Sequence, residues 1–247
     1  MRVLGIIPAR YNSERLPGKP LSMIGEKPMI QHVYENAKKC KALEQVVIAT
    51  DDERIFDVVV GFGGQVMMTS KNHINGTERC AEVVTKFKEF RNLDYIVNIQ
   101  GDEPFVNASQ IHALCNLFDG EVELATLIKK IENPEYLENE SIMKVIVNLH
   151  DEAIYFSRTA LPFYRDLPKT EWLQKHDYYK HICLYGYKLK TLNKITKLPV
   201  SPLEKAESLE QLRWIENGYR IKVAHTTFES IGIDTKDDLE KANAMIS

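Results

Sequence analysis

Four short apolar runs in the first hundred residues constrain this chain more than any other feature: residues 3–7, 45–49, 65–68 and 95–99. None contains a charged residue, the pattern of a strand covered on both faces. Between them lie segments with helical punctuation. Residues 28–40 read as a helix with Pro28 at the first helical position. Residues 53–60 read as a short helix closed by Gly61 and the Gly63-Gly64 pair, 77–90 as a helix capped by Thr77, and 107–118 as another. Strand–helix alternation with buried strands predicts an α/β fold with a largely parallel sheet.

The second half is less regular. Strands are expected at 124–128, 143–148 and 153–157. Residues 161–177, rich in Pro, aromatics and charge, read as a loop or arm. A strand returns at 181–187, a helix runs from Ser201-Pro202 to Asn217-Gly218, and a strand at 220–225 precedes a closing helix at 235–246. With no repeat and no linker, the expectation is one domain over 1–247, with a smaller strand-rich lobe around 130–190.

Lys+Arg 32 against Asp+Glu 35 leaves a net charge of −3, which argues against a dedicated nucleic-acid binder but leaves room for a local cationic pocket. No stretch approaches 18 apolar residues, so no membrane insertion is expected. The apolar run at 3–8 is too short for a signal-peptide core. Cys40, Cys80, Cys115 and Cys183 form no CxxC pair and fit a reducing compartment. The expectation is a soluble cytoplasmic protein.

The chemistry concentrates in the loop after the first strand, Arg10-Tyr11-Asn12-Ser13-Glu14-Arg15-Leu16-Pro17-Gly18-Lys19-Pro20. In open α/β sheets, ligands bind beyond the carboxyl ends of the strands. Arg10, Arg15 and Lys19, with Ser13 beside them, are the inventory for a polyphosphate: guanidinium forks grip oxygens in pairs and Lys supplies a mobile charge. A P-loop is excluded because Pro20 follows Lys19, and no GxGxxG is present. Two carboxylates at strand ends, Asp102 and Asp234, suit Mg²⁺, a hard ion that prefers oxygen. From the residues alone Asp234 reads more readily as a helix cap, and Asp51 and Asp52 read as turn or cap residues.

This loop resembles the opening loop of the sugar nucleotidylyltransferases, and most of all the cytidylyltransferases that act on 3-deoxy-manno-octulosonate (KDO). The resemblance continues through Gly76-Thr77-Glu78-Arg79, Asn98-Ile99-Gln100-Gly101-Asp102-Glu103-Pro104, Tyr155-Phe156-Ser157-Arg158, His181 with Leu184-Tyr185-Gly186-Tyr187, Leu209-Glu210-Gln211-Leu212-Arg213 and Gly232-Ile233-Asp234-Thr235. It spans essentially the whole chain, and the joint order of the fragments is specific. Lys205 departs from the pattern, at a position outside the site.

The resemblance implies a Rossmann-like, mostly parallel sheet flanked by helices, with the smaller lobe serving dimerisation. It implies that Asp102 and Asp234 bind Mg²⁺, that Lys19 and Arg15 act with them in catalysis, and that Arg79 and Gln100 join Arg10, Ser13, Arg15 and Lys19 in binding the nucleotide. It makes Arg158 a candidate for the sugar carboxylate, and His181, Tyr185, Glu210 and Gln211 candidates for the sugar hydroxyls. On the expected strand, period two places His181, Cys183, Tyr185 and Tyr187 on one face. On the expected helix, Glu207, Glu210, Gln211 and Trp214 share a polar sector.

The activity implied is transfer of CMP from CTP to the anomeric hydroxyl of KDO, releasing pyrophosphate, in a cytoplasmic homodimer serving lipopolysaccharide synthesis. Two rivals stay open on the residues: a synthetase for another CMP-activated sugar acid such as a sialic acid, and a nucleotide-sensing protein on the same fold.

Overall fold

The N-terminal apolar run becomes β1 (Val3–Ala9), buried along almost its whole length. The computed structural model describes residues 1–13, 15–87, 90, 92–229 and 231–246. A loop and a 3-10 turn (Lys19–Leu21) lead from β1 to a small hairpin, β2 (Met23–Ile24) and β3 (Lys27–Pro28). Alternation follows: α1 (Met29–Lys38), β4 (Gln45–Thr50), α2 (Glu53–Gly61), β5 (Val66–Met68), α3 (Gly76–Lys86), β6 (Tyr95–Asn98) and α4 (Ala108–Cys115). Then come β7 (Leu124–Lys130), α5 (Glu135–Glu138), β8 (Lys144–Val147), β9 (Ala153–Ser157), α6 (Trp172–Lys175) and β10 (Tyr179–Lys188). The chain closes with α7 (Leu189–Ile195), α8 (Pro202–Glu207), α9 (Glu210–Glu216), β11 (Ile221–His225) and α10 (Lys236–Ile246).

Among the described residues nine strands form one sheet, seven of them in the order β11-β7-β10-β6-β1-β4-β5, with β8 on β10 and β9 on β8. β1 lies parallel to β4 and β6, β4 to β5, and β7 to β11, whereas β10 runs antiparallel to both β6 and β7. The largely parallel α/β sheet is therefore as the sequence predicts. Period two sends Ile6 and Ile7 of β1 into opposite cores. Ile7 packs with Ile30 and Val33 of α1, Ile55 of α2 and Ile111 of α4. Ile6 packs with Val83 of α3, Leu192 of α7 and Leu212 of α9. Full burial of such side chains contributes roughly 1.5–3 kcal/mol each.

Several local expectations give way. Thr77 is not a cap: Asn75 caps α3 by accepting the Glu78 N–H at 2.9 Å, which frees the Thr77 hydroxyl for a tertiary bond. The helix ends at Lys86, and residues 88 and 89 of the expected 77–90 helix lie outside the described residues. Pro28 is the cap of α1 rather than its first residue. The single helix expected at 201–217 is two. Ser208 takes a left-handed conformation (φ 54°) between α8 and α9, and Arg213 folds α9 back by gripping both oxygens of Glu204 at 2.6 and 2.5 Å. The polar sector built on one continuous helix is thus overturned: Glu207 belongs to α8, while Gln211 and Trp214 of α9 are buried. Residues 161–177 are not all loop. They contain α6, whose Trp172 packs with Ile131, Leu137 and Tyr178 in a separate small core.

Candidate active site

The carboxyl ends of β1 and β6 open onto a cavity of about 890 Å³. Arg10, Ser13, Arg15, Lys19, Arg79, Gln100, Asp102 and Asp234 all line it, so the residues expected for phosphate, base and metal converge on one place. Glu14 of the same loop lies outside the described residues.

Local packing explains how distant segments meet. Gly101 lets the turn after β6 press against the end of β1: a Cβ there would stand 2.7 Å from the Pro8 carbonyl oxygen. Gly18, at φ +69°, reverses the phosphate loop, and its N–H donates to the Tyr11 carbonyl at 3.0 Å. Leu16 anchors that loop in a small core with Ile24, Met29, Ile233 and Ala242. The Ile233 N–H donates to the Asp102 carbonyl at 2.9 Å, setting Asp234 beside Asp102. Asp234 does not cap α10. Thr235 and Asp238 bond reciprocally there, at 2.9 and 3.2 Å, which leaves the Asp234 carboxylate free to face the cavity.

Lys19 is the centre of this arrangement. Its Nζ lies 2.6 Å from Asp102 Oδ2 and 2.9 Å from Asp234 Oδ1, and Arg15 sits 3.1 Å from Asp234 Oδ2. Burial pulls the Lys19 pKa down, but the two carboxylates, Asp102 foremost, more than offset this and hold it above the ordinary lysine value. Two carboxylates touching one nitrogen are within reach of one cation. Among the described residues no group of three or more His, Cys, Asp or Glu side chains could hold a metal.

Arg79 is nearly fully buried, and its guanidinium donates to Asp51 at 2.9 Å and to Thr69 at 2.5 Å. Asp51 therefore orients Arg79 and is neither turn nor cap residue. Asp52 does cap α2, accepting the Arg54 N–H at 3.0 Å. His73, which the sequence reading passed over, lines the same cavity, as do Asn75 and Gly76 at the start of α3. The signal for Asn75 was an Asn three residues before Glu78, a helix-start pattern.

The residues expected on the acceptor side lie beyond this wall. Asn75 and Thr77 both donate to Glu210, at 3.0 and 2.8 Å. Thr77 also contacts the Tyr187 hydroxyl at 3.3 Å, which receives Asn98 Nδ2 at 3.3 Å. Burial raises the Glu210 pKa to about 7, against the opposing pull of the Thr77 hydrogen bond. Tyr185 packs beside His181, ring centroids 5.0 Å apart, and edge-on against Trp214 at 5.3 Å. A bulge interrupts the pairing of β10 with β7 between Ile182 and Tyr185, yet Ile182 and Leu184 still enter the opposite core. His181 is buried, its Nε2 2.8 Å from the Thr126 hydroxyl, and burial pushes its pKa down to about 3, so the ring is neutral. Three buried polar atoms of this group have no hydrogen-bond partner among the described residues: Asn98 Oδ1, Gln211 Nε2 and Trp214 Nε1. Such atoms are costly unless something polar meets them.

Arg158 stands apart. Its guanidinium donates to the Glu207, Glu140 and Ser208 carbonyls, at 2.7, 3.0 and 3.5 Å, at the break between α8 and α9.

A sheet of this topology with a cationic loop at β1 and two carboxylates at strand ends defines a nucleotide-handling enzyme of the transferase type. The chain belongs to the cytidylyltransferase family, whose model matches residues 4–223. It is 51% identical to the 3-deoxy-manno-octulosonate cytidylyltransferase of Parabacteroides distasonis, covering 100% of this chain and 99% of that one. It is 48% identical to the protein of the same name from Fusobacterium nucleatum, over 98% and 95% of the two chains. Its fold matches that of a solved CMP:2-keto-3-deoxy-manno-octonic acid synthetase in complex with CTP, with a TM-score of 0.92, 38% identity and coverage of 100% and 98%. A glucose-1-phosphate thymidylyltransferase structure from Bacillus anthracis, at 20% identity and a TM-score of 0.64, shares the fold.

Proposed function

We propose that this chain transfers CMP from CTP to the anomeric hydroxyl of KDO, releasing pyrophosphate. The observation that carries the reading is the convergence of Lys19, Asp102 and Asp234 at the base of a cavity lined by arginines, in a chain about half identical to cytidylyltransferases named for this sugar acid. The cavity's cations suit a triphosphate, and no protein nucleophile is required. The sugar hydroxyl attacks the α-phosphorus in line and gives up its proton to solvent, and the bond to the bridging oxygen breaks as pyrophosphate departs. Arg10, Arg15 and Lys19 neutralise the phosphate oxygens and hold the leaving group in position.

Asp102 and Asp234 would hold Mg²⁺, whose oxygen preference their carboxylates satisfy. When bound, it supplies charge neutralisation and alignment at the phosphate. On the acceptor side, Glu210 and Gln211 would meet sugar hydroxyls, with Gln211 Nε2 and Trp214 Nε1 as donors that find no partner among the described residues. Neutral His181 and Tyr185 would add uncharged hydrogen bonds. Arg158 would be the partner of the sugar carboxylate, exchanging carbonyl bonds for a charged one. The reading also includes a cytoplasmic homodimer built through the lobe around 130–190, where Phe163 is 73% exposed. Sedimentation of the purified chain tests that part.

The deciding experiment mixes CTP, Mg²⁺ and a panel of sugar acids and follows pyrophosphate release. Turnover with KDO, and not with sialic acids, is the expected result. Turnover with a sialic acid alone transfers the reading to the rival synthetase, and absence of turnover with every acid favours a nucleotide sensor.

A further inference from the structure

The position between the two carboxylates is taken by a cation of the chain itself. Lys19 Nζ contacts Asp102 Oδ2 and Asp234 Oδ1 at once, and Arg15 covers the other oxygen of Asp234. Two negative charges thus face two positive ones, and an approaching divalent cation meets a locally neutral cluster. The described residues offer no third carboxylate, His or Cys to complete a site. Mg²⁺ also sheds its water reluctantly and is usually held by one or two carboxylates together with substrate phosphates.

We propose that the Lys19 ammonium is a competitor for the divalent cation: it keeps the Asp102–Asp234 pair closed to bare metal until CTP draws it away. The inference rests on the two-carboxylate reading above. Lys carries a mobile charge on a four-carbon stem, so it exchanges partners by rotation. A triphosphate offers Lys19 and Arg15 a stronger concentration of negative charge than two aspartates do. Moving both cations onto the phosphates would uncover both carboxylates as the triphosphate settles. Asp102 and Asp234 would then be open to a divalent cation with the nucleotide and not ahead of it. Arg15, 65% exposed against 14% for Lys19, is the looser of the two covers.

The test is Mn²⁺ binding to the free protein without nucleotide, followed by the loss of the free-ion electron paramagnetic resonance signal. Lys19→Met should bind Mn²⁺ at least about tenfold more tightly than the unaltered chain, since a charged, doubly hydrogen-bonded competitor has gone. Lys19→Gln, which keeps polarity without charge, should move the same way and guards against a folding defect in the Met variant. Adding CTP should tighten Mn²⁺ binding by a larger factor in the unaltered chain than in Lys19→Met. Equal or weaker Mn²⁺ binding in both Lys19 variants overturns the competitor role. Asp102→Asn and Asp234→Asn in the Lys19→Met background separate the two levels. If they abolish the Mn²⁺ signal change, the carboxylate pair is the metal site whatever Lys19 does. If they leave it intact, the two-carboxylate reading itself fails.

Discussion

Thr77 Oγ1 donates a 2.8 Å hydrogen bond to Glu210 Oε2, joining residues 133 positions apart in the chain. Asn75, the cap of the same helix, donates to the other oxygen. One carboxylate therefore ties the wall of the cavity at the ends of β1 and β6 to the helix expected to meet the sugar. A hydrogen bond to a charged group contributes roughly 1.5–3 kcal/mol, and Thr77 is almost fully buried, so water cannot replace it. Thr77→Val, nearly isosteric, should lower unfolding free energy by about that amount at pH 8, where Glu210 is ionised. Urea denaturation measures it. A loss within experimental error would mean that Glu210 is held by Asn75 alone.

The pH dependence of the same group has a definite sign. Burial raises the Glu210 pKa from 4.5 to about 7. Between those values the folded chain retains a proton that the unfolded chain has released, so this group's contribution to stability falls as pH rises and levels off above 7. Glu210→Gln abolishes the titration. Its stability relative to the unaltered chain should improve between pH 4.5 and 7.5, by up to on the order of 3 kcal/mol. Paired melts across that range check this. A difference that stays flat, or moves against the variant as pH rises, would show that the buried carboxyl is ionised throughout.

Much of this was legible in the sequence, and the failures share a cause. Local pattern located β1, β4, β6 and the cationic loop that lines the cavity, because uninterrupted apolar runs and clustered cations are contiguous in the chain. It misjudged Thr77, whose hydroxyl suits a cap equally well until Glu210 arrives from the far end of the chain. It joined α8 to α9 because neither Ser208 nor Leu209 is a helix breaker by type, and the break is imposed by Arg213 reaching Glu204. Asp51 looked like turn chemistry because its partner, Arg79, is 28 residues away. The Lys19–Asp102–Asp234 convergence spans over two hundred residues, so no spacing rule announces it. Strand-end position suggested both aspartates, and the whole-chain resemblance tipped Asp234 from a helix cap to the same role as Asp102.

Tyr11 offers a test of how the phosphate loop keeps its shape. Its ring is covered by the Gly18 backbone, where a Cβ would stand 3.1 Å away, and by the Arg54 guanidinium, 3.3 Å from the ring centroid. Asp52 holds that guanidinium at 2.8 and 2.7 Å. A cation on an aromatic face is attracted by the ring quadrupole, so α2 clasps the loop from outside. Tyr11→Leu should raise the CTP KM severalfold with little effect on the sugar KM, and Tyr11→Phe should restore it. Failure of Phe to restore it would shift the role from the ring to the hydroxyl.

Arg158 carries the sharpest question about the acceptor side. It is proposed to bind the sugar carboxylate, yet its guanidinium holds three backbone carbonyls around the α8–α9 break. Both duties predict a loss on Arg158→Met, but the losses differ in kind. Losing a charge-assisted bond to substrate costs roughly 1.5–3 kcal/mol, a ten- to hundredfold rise in the KM for the sugar acid with CTP affinity unchanged. Losing only the carbonyl brace loosens α9, which carries Glu210 and through it Asn75, so CTP affinity and melting temperature fall together. Arg158→Lys separates them further: an ammonium still attracts a carboxylate but cannot span three carbonyls in a planar fork. If Arg158 binds substrate, Lys should recover part of the sugar KM while leaving the melting temperature low. The measurement is a two-substrate kinetic matrix with CTP titration in the absence of sugar. A variant that lost CTP affinity and stability but kept its sugar KM would assign Arg158 to the scaffold and return the carboxylate to another cation.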